Sequence, residues 1–187
     1  MLQTLLFFHV LAVIGLFTGI TLDVIAVVRV NRAVTLNEVR AALLNVPLVG
    51  PIMMSSVLLL LAAGISLIYA GHFGWTPGWI DVVFVLTVIL TVLGPAVTGR
   101  KGEALHTLAE QAGEGAIPPA IDAARRDRVL GYMVFMSLLE LVAALYIMVT
   151  KPELLTAVAA AICAAVVAAI PAALVSRRNP AAAPAET

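Results

Sequence analysis

Apolar residues arrive in five long blocks separated by shorter polar stretches. The blocks lie at about 4–28, 51–70, 79–98, 129–149 and 154–175. Each approaches or exceeds the roughly 20 residues with which a helix, rising 1.5 Å per residue, crosses bilayer hydrocarbon. The two-residue alternation of a membrane barrel is absent, and a helix satisfies its own backbone polar groups in lipid. The pattern predicts an all-α fold, a bundle of five transmembrane helices forming one domain over 1–175. The low-complexity tail 176–187 is expected to be disordered. The first block lacks the basic start, short apolar core and cleavage site of a signal peptide, so it reads as a retained helix.

Two polar stretches carry local signals. In 29–50, "TLNE" (Thr35 to Glu38) is a capping box, and Leu36, Val39, Leu43 and Val46 follow on one side. An amphipathic helix ended by Pro47 is expected, either lying on the inner leaflet or serving only as a connector. In 99–128, a short helix is expected over 102–112 and a break at Pro118 and Pro119, after which "IDAARRDR" leads into the fourth span. Arg125, Arg126 and Arg128 are placed to meet anionic headgroups, and His106 reads as a surface histidine.

Composition sharpens this picture. Of 187 residues, 62% are hydrophobic and 12% charged, too apolar for a water-soluble fold of this size. Zero net charge gives no reason to expect nucleic acid as a partner. A single cysteine, Cys163, excludes an internal disulfide and a multi-cysteine metal cluster. Basic residues collect after spans one, three and five: Arg29, Arg32 and Arg40, then Arg100, Lys101, Arg125, Arg126 and Arg128, then Arg177 and Arg178. The other side has only Lys151. Basic loops stay cytoplasmic, so the N-terminus is expected outside and the C-terminus inside, with Trp75 and Trp79 at the outer interface.

Ionisable residues within the spans are the candidate sites, because such groups turn toward the bundle interior. His9, Ala12, Gly15, Gly19, Asp23 and Ala26 share one face of the first span. Gly15 and Gly19 form a GxxxG that lets another helix come close, and they mark a candidate face for a homo-oligomer or membrane partner. Asp81, Phe84, Thr87, Thr91, Gly94 and Thr98 form a stripe on the third span, with Pro95 expected to kink its end. On the fourth, Met133, Ser137, Glu140, Ala144 and Lys151 share a face. His9 and Asp23 stand roughly 21 Å apart along the helix, so they belong to different levels. Asp23 falls near Thr98 and Arg100 in depth. Glu140 lies near the midplane and is expected to be neutral, donating a hydrogen bond to a threonine of the third span; a proton relay is the alternative.

No phosphate-binding glycine motif, HExxH, CxxC or nucleophile elbow is present. An outer polar group remains: His9, His72, Asp81, Lys151 and Glu153. His9 and His72 are candidate metal ligands and His9, Lys151 and Asp81 candidate cofactor contacts, with haem or copper the group in question; no cofactor is firmly implied. A histidine hydrogen-bonded across helices explains His9 equally. Three functional readings follow: a non-catalytic accessory or scaffold protein, a redox protein using His9, and a proton-coupled transporter using Glu140.

"FHVLAVIGLFTG" in the first span, "GWTPGWIDVVFVL" at the third and "LYIMVTKPEL" closing the fourth resemble an uncharacterised family of bacterial integral membrane proteins, a domain of unknown function. The resemblance covers about residues 5–160 and implies a multi-pass protein of the bacterial cytoplasmic membrane. The helix-one histidine followed by small residues is more distantly similar to copper-resistance D type proteins and membrane-bound protoporphyrinogen oxidases. That similarity implies a haem near His9 and Lys151, although Lys151 stands at a helix end.

Overall fold

A computed structural model describes residues 1–71 and 78–176. The described residues form eight α-helices and one π-helical segment. These are α1 (Leu2–Arg32), α2 (Leu36–Leu43), α3 (Val46–Ala70), α4 (Gly78–Leu93), the π segment Gly94–Gly99, α5 (Arg100–Gln111), α6 (Pro119–Arg125), α7 (Arg128–Thr150) and α8 (Leu154–Val175). Five helical stretches are long and apolar enough to cross a membrane. Large side chains such as Phe7, Val92, Leu155 and Val166 point outward, as lipid-facing positions of a bundle do.

Packing begins with α1 against α3. Gly15 and Gly19 make the close approach possible: a Cβ on Gly15 would lie 2.2 Å from Ser56 Oγ, and one on Gly19 would lie 2.5 Å from Met53 Cγ. The face expected to receive another copy or a partner is therefore filled by α3 of the same chain. Ala12, Leu16, Ile20, Leu60 and Leu141 form the core where α1, α3 and α7 meet.

The second main pair is α7 with α8. The alanine- and valine-rich sequence of α8 marks no inner face by itself. The structure buries Ala157, Ala168 and Ala172, and Tyr132 of α7 donates to the Ala165 carbonyl at 3.1 Å. α4 leans on α7 and α8 through Val83, Ala144, Ile147 and Ala157, while α3 and α4 make at most marginal contact. A gap stays open between them.

One end of the bundle carries a small layer of its own. Val30, Ala33, Leu36, Val39, Leu43, Leu105, Ala109 and Ile121 form a core joining the end of α1 to α2, α5 and α6. The apolar side of α2 thus packs on protein and not on the inner leaflet. Its capping box forms: Thr35 Oγ1 accepts from Glu38 N–H at 3.2 Å, and Glu38 accepts from Val34 N–H at 2.8 Å, one residue beyond the cap. Pro47 does not end this helix; it sits in the first turn of α3, where its missing N–H costs nothing. Nor does the third span stop near 98. It widens into the π segment at Gly94–Gly99 and continues to Gln111. "IDAARRDR" divides between α6 and Asp127, which caps α7 by accepting from Val129 and Leu130 N–H. The expected tail lies outside the described residues except for Ser176.

Candidate functional site: a cavity between four helices

The gap between α3 and α4 opens into a cavity of about 740 Å³. α1, α3, α4 and α7 supply its walls, and the π segment and α5 its end. The walls are aliphatic, with Val57, Leu60, Leu86, Leu90, Leu141 and Met148 typical. Thr87 and Thr91 also face it, each with its hydroxyl bonded to the carbonyl four residues back, at 2.8 and 2.7 Å. Their donors are spent within α4, so the walls behave as an apolar surface.

Polar groups gather at the α5 end: Asp23, Thr98, Arg100, Glu103, His106 and Thr107. Asp23 and Thr98 also border a small neighbouring void. Sequence spacing placed Asp23 near Thr98 and Arg100 in depth, and all three border this space. Thr98 Oγ1 is buried with no hydrogen-bond partner among the described residues. His106, expected on the surface, is half-buried at this end, 3.6 Å from Glu110.

Beside the cavity, charges are tied down. Arg125 is 7% exposed and donates to the Val30 and Ala33 carbonyls at 2.8 and 2.7 Å, and to Asp122 at 2.6 Å. It satisfies orphan carbonyls at the end of α1. Arg126 donates to the same Asp122, and Arg40 to the Ala109 and Ala112 carbonyls closing α5. Lys101 pairs with Asp127, joining the starts of α5 and α7. Arg125 is therefore taken up by the protein interior, and Arg126 is paired with Asp122 within the layer. Partial burial alone would raise the Asp122 and Asp127 carboxyls. The hydrogen bonds from Arg125 and Arg126, and from Lys101 and the α7 amides, outweigh it and hold both below the usual carboxylate range.

The remaining candidates are dispersed. His9 is half-buried against Gly64 of α3, where a Cβ would sit 3.5 Å from the imidazole, and its Nδ1 has no partner among the described residues. Asp81 is exposed in the first turn of α4, and Lys151 is exposed at the end of α7 in the left-handed region, φ 47°. The structure thus sets His9 against α3, while Asp81 and Lys151 stand at the ends of α4 and α7. His72 lies outside the described residues. Among those described, no three His, Cys, Asp or Glu side chains group as metal ligands do. Glu140 is 5% exposed, and its Oε2 has no partner among the described residues. The expected bond to a threonine of the third span is not made, because Thr87 and Thr91 turn back to their own helix.

A family model described as "Predicted integral membrane protein (DUF2269)" matches residues 3–152. The chain belongs to that family. The match takes in α1 to α7 and every residue of the cavity wall, from Val13 to Met148, whereas α8 lies beyond it. Neither the curated proteins nor the solved structures contain a match to the chain.

Proposed function

We propose that this protein is a non-catalytic accessory protein of the bacterial cytoplasmic membrane that holds an amphiphile between α1, α3, α4 and α7. The observation that carries this reading is the cavity itself. Its volume of about 740 Å³ falls among small-molecule sites, roughly 300–1,000 Å³. Its walls suit an acyl or similar chain, the hydroxyls along them being bonded within their own helices, and its ionisable groups lie at one end only, as an amphiphile requires. The marginal contact between α3 and α4 supplies a lateral way in from the bilayer. The basic residues on the α2, α5 and α6 layer support an orientation with this layer in the cytoplasm and the N-terminus outside. The polar end then sits at the depth of the inner-leaflet headgroups. Glu140 is not part of the cavity wall, so the cavity lends no support to a proton site there.

Gly50 provides the test. It lines the cavity, and a Cβ built on it meets nothing within 4 Å. Gly50→Leu should therefore fill space without meeting another helix, at a modest backbone cost because Pro51 follows it within α3. Native mass spectrometry of protein purified in mild detergent should show an amphiphile adduct on the wild type. Gly50→Leu should lower it about tenfold, equivalent to ~1.4 kcal/mol, with the protein still folded in the same detergent. Equal adduct on a folded Gly50→Leu contradicts the reading.

A further inference from the structure

The polar end of the cavity has an internal order that bears on the headgroup it accepts, an inference that rests on the amphiphile reading above. Along the continuous helix from the π segment into α5, the cavity meets the Thr98 hydroxyl, then Arg100, then Glu103, then His106. Asp23 of α1 borders the same cavity and the same small void as Thr98.

Among the described residues, no hydrogen bond or ion pair engages the side chains of Asp23, Arg100 or Glu103. Arg40, Lys101, Asp122, Arg125, Arg126 and Asp127, close by in the same layer, are all engaged. Arg29, Arg32, Glu114 and Arg128 at this end are likewise unengaged among the described residues; what sets Arg100 and Glu103 apart is that they are exposed charges of opposite sign bordering the cavity. An anionic headgroup alone would meet two carboxyls beside one guanidinium. A cationic headgroup alone would meet that guanidinium.

We propose that the cavity selects a zwitterionic lipid, with a phosphate against Arg100 and an ammonium beyond it against Glu103. The guanidinium fork suits phosphate oxygens. Glu103 follows Arg100 by three helical steps, about 4.5 Å along the axis, which puts the acid one short headgroup linker further from the chains. The Thr98 hydroxyl, buried without a partner, and the Asp23 carboxyl fall on the chain side of the phosphate, where ester or hydroxyl oxygens of a glycerol lie.

The test offers the detergent-solubilised protein equal amounts of lysophosphatidylethanolamine and lysophosphatidylglycerol with the same acyl chain, and counts adducts by native mass spectrometry. The wild type should prefer the ethanolamine lipid about fivefold, ~1 kcal/mol. Glu103→Gln should bring the two lipids to parity, Arg100→Gln should weaken both, and Gly50→Leu should lower both about tenfold. Equal or greater retention of the glycerol lipid by the wild type, or a preference that survives Glu103→Gln, overturns the headgroup assignment and leaves the amphiphile reading standing. Adducts no more abundant on the wild type than on Gly50→Leu overturn both.

Discussion

Arg125 shows how much one side chain can organise in this fold. Its guanidinium closes the carbonyl end of α1 and fastens α6 to it, while Asp122 balances its charge. Removing it leaves the Ala33 carbonyl without a donor, the Val30 carbonyl with the Ala33 N–H alone, and Asp122 without its main counter-charge. Arg125→Met should therefore cost on the order of 3 kcal/mol, seen as a lowered thermal midpoint in detergent. Arg128→Met, at an exposed position, should change stability by no more than about 0.5 kcal/mol. An unchanged midpoint for Arg125→Met would show that the clamp carries no weight. The sequence grouped Arg125, Arg126 and Arg128 as headgroup contacts. It could not separate them, because the break between α6 and α7 resets the helical phase between Arg125 and Arg128. Glu140 has a similar lesson. Its burial followed from its place in an apolar run, whereas its partner depended on threonine hydroxyls that bond locally.

At the scale of elements, the α1–α3 pair is the tightest association, and its small-residue stripe was legible in the sequence. The partner was not, since GxxxG states that a helix comes close without saying which one. The added Cβ of Gly15→Ala would displace the Ser56 hydroxyl from its 2.7 Å bond to the Ile52 carbonyl. A loss of about 1–3 kcal/mol is expected, and most of it should vanish when Ser56→Ala is combined with Gly15→Ala. Additive effects of the two changes in chemical unfolding would contradict the packing described here. The α4–α5 rod taught the opposite. The sequence ended the third span near 98 with a kink at Pro95, yet a π segment accommodates the proline and lets the helix continue, carrying Arg100 and His106 to the cavity.

For the whole molecule, five apolar blocks were enough to give the all-α membrane bundle, because a spanning helix is specified by length and hydropathy alone. The cavity was not legible. It arises because α3 and α4 stay apart, which is a property of packing between segments and leaves no periodic mark in either. The proposed orientation follows from charge placement and predicts labelling patterns. In a Cys163→Ala background, Gln3→Cys and Glu153→Cys should react with an impermeant thiol reagent in intact cells, and Glu114→Cys only after permeabilisation. Reaction of Glu114→Cys in intact cells would invert the orientation. The central claim is that the space between α3 and α4 is occupied. The most direct measurement is an electron cryomicroscopy map of the protein in lipid nanodiscs. It should show elongated density along Leu60, Leu86 and Leu141 that ends beside Arg100; α3 collapsed onto α4 with no density between them would contradict the claim.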